Sequence, residues 1–320
     1  MLVLLEGANQ VQERVDRDVA ALDCLPEGDE NGAAGSAGVA GVQAVAKAPT
    51  GEALKLKPIR IGLYDQYGGS MPSGWTRWLF EQYEFPFEII YPKALDAGNL
   101  ASRYDVIVLP SGAIPAREGQ TRGYFDMIDS SNVPAEYRDR LGRASIARTV
   151  PQLRQFLEAG GTVVAVGTSA NLGIHLGLPI ASALVEKTAS GTERELPADK
   201  FYVPGSVLRV QVDTTRPVSF GMPRDVDVFY DNSPAFRLGV DAAAKGVKPI
   251  AWFANGTPRR SGWAWGQSSL DGAVEALEAP IGKGTLYLFA PEITFRGQPH
   301  GTFKWLFNGI YAPREPAIVP

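Results

Sequence analysis

The sequence predicts an α/β domain built on a mostly parallel central sheet. Three observations carry that expectation. From residue 57 onward, short apolar runs alternate with stretches of helical periodicity, the rhythm of strand–helix–strand units. One of those runs, Thr162 to Val166, is β-branched and lacks polar alternation, as a strand buried on both faces does. Beyond about residue 200 the strands are separated by turns rather than helices, which adds mixed or antiparallel strands at one sheet edge.

The elements follow in order. Met1 to Leu5 reads as a small strand, and residues 6 to 24 suit a short amphipathic helix with Val11, Val15, Val19 and Leu22 on one face. Residues 1–25 thus read as a strand–helix segment. Residues 26–56 are rich in Gly and Ala and lack large aromatics, the composition of a linker. The domain spans 57–313, and 314–320 is a tail. Within it Ile59 to Tyr64 is a first strand, followed by a glycine-containing loop from Asp65 to Ser73. A helix runs from Trp75 to Tyr83 with Ser73 as its N-cap. Phe87 to Tyr91 and Val106 to Leu109 are the next strands. Ala135 to Arg143 and Thr149 to Ala159 are helices, the second ended by Gly160-Gly161. After Thr162 to Val166 come strands at Val207 to Val212, Val226 to Tyr230, Ile250 to Phe253 and Leu286 to Phe289. A helix from Gly301 to Ile310 closes the domain.

Composition excludes several classes. A net charge of -4 leaves no basic footprint for nucleic acid. The sole cysteine, Cys24, excludes an internal disulfide or a cysteine-based metal cluster, and two histidines without a carboxylate pattern make no zinc site. No apolar run is long enough to span a membrane. Met1 to Leu5 has no basic flank and is too short for a signal peptide.

Three strand ends carry the chemistry, because open α/β sheets place sites at the carboxyl ends of their strands. They read Val106-Ile107-Val108-Leu109-Pro110-Ser111-Gly112, then Val163-Val164-Ala165-Val166-Gly167-Thr168-Ser169-Ala170-Asn171-Leu172, then Phe289-Ala290-Pro291-Glu292. Together they resemble the class I glutamine amidotransferase-like superfamily, whose strands end in Leu-Pro-Gly-Gly, Gly-x-Cys and Phe-His-Pro-Glu. The resemblance implies a flavodoxin-like three-layer sandwich, with Gly112 and Ser111 where backbone N–H groups face an oxyanion. It puts Gly167 at the nucleophile and Ala290 at the base, while Glu292, the orienter of that base, is retained. Neither Gly167 nor Ala290 can form an acyl-enzyme or move a proton.

The remaining candidates each have two readings. Thr168 and Ser169 are either weak nucleophiles, with His300 as base, or caps of the following helix. Arg296, Gln298, His300 and Lys304 either converge on an anion or cap the terminal helix and pair with Glu292. Trp75, Arg77 and Trp78 either line a pocket beside the glycine loop or pack a helix on the sheet. Glu292 either serves chemistry or satisfies backbone donors at its turn. His175 is a surface or cap residue.

A wider set of segments gives a second, more specific resemblance. Gly62-Leu63-Tyr64, Gly74-Trp75-Thr76-Arg77-Trp78-Leu79, Glu81-Gln82-Tyr83, Ala97-Gly98-Asn99-Leu100, Pro204-Gly205-Ser206, Gly221-Met222-Pro223 and Arg296 to Asn308 resemble the C-terminal amidotransferase-like domain of large bacterial zinc carboxypeptidase-like proteins. That resemblance implies an upstream metallocarboxypeptidase-like domain as partner, with the zinc there and no cofactor in this chain, and it makes the strand–helix segment 1–25 the remnant of a connecting region. It implies export to the periplasm or outside. The expected role is a non-catalytic accessory or ligand-binding domain, for a small molecule, a peptide or a carbohydrate.

Overall fold

A mixed, twelve-stranded sheet organises the unit Ile59–Ala312. The computed structural model describes residues 58–117 and 130–311, together with the two-residue strands Leu4–Leu5 and Lys55–Leu56. Those two short strands pair in parallel within a separate unit made of Met1–Pro58 and Pro313–Pro320. The expected helix at 6–24, most of the expected linker and the tail lie outside the described residues.

The parallel part comprises β1 (Ile61–Tyr64), β2 (Phe87–Ile90), β3 (Val106–Leu109) and β4 (Thr162–Val166). The short strands β5 (Ile180–Ser182), β6 (Val185–Lys187) and β7 (Glu193–Glu195) follow. Then come β8 (Pro204–Val212), β9 (Asp225–Asp231), β10 (Phe236–Leu238), β11 (Lys248–Trp252) and β12 (Arg259–Ser261). Finally β13 (Val274–Ile281) and β14 (Gly284–Phe289) form a hairpin through Gly282-Lys283. The spatial order is β9-β8-β11-β13-β14-β4-β3-β1-β2. From β14 to β2 every pairing is parallel, and from β14 to β9 every pairing is antiparallel. The expected antiparallel extension is therefore half of the sheet.

Alternation along each strand separates two apolar layers. Leu63, Val108, Val164, Val166 and Phe289 point to one face with Phe80, Trp305 and Leu306. Ile107, Leu109, Val163, Ala165 and Leu288 point to the other with Leu153, Phe156 and Leu157. The helices supplying those residues are α1 (Met71–Gln82), α3 (Thr149–Glu158) and α5 (Phe303–Tyr311); α2 (Pro92–Asp96) and α4 (Leu172–His175) are single turns. Both faces of the parallel core are covered, as its unbroken apolar strands require.

The differences from expectation are local and physical. Helix α1 starts one turn early because Ser70, in extended backbone, caps it by accepting the Ser73 N–H at 3.2 Å. Ser73 is instead buried, and its hydroxyl donates to Tyr64 O at 2.9 Å. The segment from Ala135 forms only a 3-10 helix, Ala135–Arg140, in which no residue is buried. Without an apolar face to pack, a longer helix gains nothing there. Strand β13 was not expected: its Ala, Leu and Glu residues favour helix, and burial between β11 and β14 overrides that preference.

Candidate functional site

Parallel pairing sets the ends of β3, β4 and β14 side by side, with Leu109 opposite Ala165 and Val166 opposite Phe289. The three motifs therefore meet at one sheet edge. β4 ends at Val166 in extended backbone, and Gly167 then turns sharply with φ 60. That is the left-handed region, which favours glycine. A 3-10 turn over Gly167–Asn171 leads into α4.

The space a side chain at Gly167 needs is already filled. A β-carbon built there would collide with Ser111 Oγ and lie 2.6 Å from both Ser111 Cβ and Glu292 Oε1. Ser111 and Glu292 thus occupy the volume into which an elbow side chain projects. Ser111 Oγ also accepts the Thr168 N–H at 3.1 Å and hydrogen-bonds the Glu292 carboxyl. Thr168 Oγ1 accepts the Gly112 N–H at 3.0 Å and lies 3.3 Å from Ser111 Oγ. The two backbone N–H groups flanking the elbow are consequently satisfied by side-chain hydroxyls. Neither is left facing an incoming oxyanion.

Ser169 is fully buried, donates to Pro110 O at 2.6 Å and accepts the Ile114 N–H at 3.1 Å. Its hydroxyl pins the loop after β3 to the turn after β4, and neither it nor Thr168 makes a side-chain cap on α4. His175 Nε2 lies 2.9 Å from Pro115 O, tying α4 to the same loop. Ala290 is fully buried, its N–H donating to Glu275 O at 2.8 Å.

Glu292 is 9% exposed, and burial pushes its carboxyl up to about 7. The Ser111 hydrogen bond pulls it down, and the negative charge of Asp231 at the end of β9 pushes it further up. Its main-chain N–H donates to Phe229 O at 3.0 Å, and its C=O accepts from Phe295 N at 3.2 Å. No cation is among the groups that set its charge.

Among the described residues the basic cluster makes no ion pair with it. Arg296 is exposed, in left-handed backbone at φ 51, with its guanidinium 5.0 Å from the Phe295 ring centroid. Lys304 Nζ donates to Gly221 O. Gln298 and His300 line a groove beside β9, and the His300 ring rests 5.2 Å from the Phe303 ring. Ser169 and Thr168 are not among the residues of that groove. On α1, Arg77 pairs with Glu81 at 2.7 Å, and Trp78 covers Gly297, where a β-carbon would meet its ring at 2.6 Å. Trp75 is half-buried on the same helix. The buried Thr76 and Thr294 hydroxyls, 3.1 Å apart, join α1 to the segment after Glu292.

Three residues of consequence escaped the sequence reading. Asp231 ends β9, and its charge acts on Glu292, whose main-chain N–H bonds Phe229 O on the same strand. Phe229 stacks on Phe295 with ring centroids 3.9 Å apart. Glu275 is fully buried in β13, and neither carboxyl oxygen has a hydrogen-bond partner. A glutamate inside an apolar strand was the available signal for the last.

Among the described residues, no group of three or more His, Cys, Asp or Glu side chains is placed to hold a metal ion, and no helix is long and apolar enough to cross a membrane. No protein-family model and no curated protein matches the chain. Solved structures do resemble it at a distance. A glutamine amidotransferase from Thermotoga maritima is 10% identical with a TM-score of 0.48, covering 80% of this chain and 100% of that one. A putative GMP synthase component from Thermoplasma acidophilum is 10% identical with a TM-score of 0.45, covering 79% and 93%. A β-galactosidase from Bacillus circulans is 9% identical with a TM-score of 0.44, covering 80% of this chain but only 31% of its own. The chain has an α/β fold with a mixed sheet, its parallel core ordered β2-β1-β3-β4-β14.

Proposed function

We propose that this amidotransferase-like domain is non-catalytic and serves as an accessory or ligand-binding module. The observation that carries the reading is the filled elbow. Gly167 supplies no nucleophile, and Ser111 Oγ and Glu292 Oε1 take the place of its side chain. The flanking N–H groups of Gly112 and Thr168 are spent on hydroxyls, and Ala290 offers no base. A hydrolase reading through Ser169 lacks support, since that hydroxyl is buried and bonded on both sides. The narrower assignment, to a partner of a zinc carboxypeptidase-like domain that itself carries the metal, rests on the sequence resemblance alone. Co-purification of the two, or their occurrence in one polypeptide, is its test.

The test of the main reading is ammonia release. Incubated with glutamine, the wild-type chain should release no ammonia above the uncatalysed rate. The Gly167→Cys/Ala290→His double variant should release none either, because the hydroxyls still block the elbow. Turnover by the wild type that disappears in Glu292→Gln would overturn the proposal.

A further inference from the structure

The strongest unassigned feature is a groove of about 520 Å³ along the outer edge of β9. Among the described residues strand β9 ends the sheet and pairs with β8 alone. Val212 N donates to Arg224 O at 2.7 Å, which fixes which residues exchange hydrogen bonds in this antiparallel pair. Counting in twos, Val226, Val228 and Tyr230 spend their backbone groups on β8. Asp225, Asp227 and Phe229 turn theirs outward. Phe229 O is taken by Glu292 N. The N–H and C=O of Asp225 and Asp227, and the N–H of Phe229, have no partner among the described residues.

The opposite wall is the segment from Phe295 to Gly301. It is held in place at both ends. Phe295 stacks on Phe229, and Thr302 Oγ1 donates to Ile293 O at 2.7 Å. Between wall and edge, the apolar contacts come from Val207, Phe229, Phe295 and Pro299. The charge in the groove is negative. Asp227 is engaged by Arg209 at 2.8 Å, whereas Asp225 is exposed and makes no ion pair among the described residues. No Lys or Arg lines the groove.

We propose that this groove binds an extended, basic peptide segment that adds to the sheet as a strand on β9. Outward N–H and C=O groups at every second residue are the complement of a strand, and of little else. Five residues of β9, Asp225 to Phe229, span about 14 Å at roughly 3.4 Å per residue. Asp225 and Phe229 lie on the same face, four residues apart. A matching peptide therefore carries an apolar side chain over the Phe229–Phe295 stack and a basic one four residues away, beside Asp225. This deepens the ligand-binding reading above and rests on it.

The probe is the peptide acetyl-Phe-Thr-Val-Thr-Lys-amide. Two controls accompany it: the same peptide N-methylated at alternate residues, and one with Glu in place of Lys. Calorimetry should show saturable binding of the first, weakened at least tenfold in each control and in Asp225→Lys. Hydrogen exchange should show the amides of Asp225, Asp227 and Phe229 open in the free protein and protected in the complex. Asp225 is exposed, so its substitution leaves the fold intact, which circular dichroism checks. Glu292→Gln should bind normally. Absence of binding, equal binding of the N-methylated peptide, or amides already protected in the free protein would each overturn the proposal. Those failures leave the ammonia test untouched, so the two readings fall separately.

Discussion

The filled elbow makes a quantitative prediction about Gly167→Ala. Two penalties act at once. At φ 60 an L-residue loses about 1–2 kcal/mol relative to glycine. The new methyl also lies 2.6 Å from Ser111 Cβ and Glu292 Oε1, far inside van der Waals contact. Overpacking of that kind costs about 1–3 kcal/mol. The sum is about 2–5 kcal/mol of stability, read from urea unfolding as a lower midpoint at unchanged slope. A double-mutant cycle separates the penalties, because Ser111→Gly removes both the Oγ and the Cβ from the crowded space. In that background Gly167→Ala should keep the backbone share and the Glu292 Oε1 contact but lose the Ser111 share. It then costs less than in the wild type, and the coupling is a part of the about 1–3 kcal/mol of overpacking. A Gly167→Ala variant as stable as wild type, or a cycle with no coupling, would refute the claim that these side chains fill the elbow.

The remaining predictions concern the two buried carboxyls. For Glu292 the folded value is raised to about 7 from an ordinary 4.5, so the folded state holds its proton more tightly. Its contribution is fully present below pH 4.5 and is lost as pH rises to about 7, a decline of about 3 kcal/mol. Glu292→Gln should flatten that part of the stability profile; an unchanged profile would place the titration elsewhere. Burial holds the Glu275 carboxyl well above its usual range, so it too lowers stability as pH rises past its ordinary value. Glu275→Met removes an unsatisfied buried acid and should raise stability by about 1–3 kcal/mol near neutrality, the gain shrinking in acid. A loss of stability at pH 8 would show that the carboxyl has a partner.

The parallel half of the fold was legible because its signals were local. The apolar run Thr162 to Val166 and the glycine pair before it define a buried strand and its entry without help from distant residues. The antiparallel half was legible only in outline. β13 is made of residues that prefer helix, and its strand state comes from being sandwiched between β11 and β14. At the site, the sequence showed Gly167 and Ala290 at two strand ends with no reactive side chain. It did not reveal what fills their place, because Ser111 and Glu292 reach Gly167 from strands far away in the chain. The place of His300 was equally invisible: the segment after Phe295 lines the groove beside β9.

Retention of Glu292 has a physical meaning that does not require catalysis. A carboxylate that orients a base works as an anion beside a donor. Here Ala290 has no side-chain donor to offer, no cation shifts the Glu292 charge, and Asp231 repels it. Under those conditions burial favours the neutral acid, which hydrogen-bonds Ser111 and fills the volume beside Gly167. Its backbone does separate work, closing the end of the β9 edge through Phe229 O. The residue is thus held by packing and by main-chain pairing. The empty hydrogen-bonding edge lies on the strand that this pairing closes.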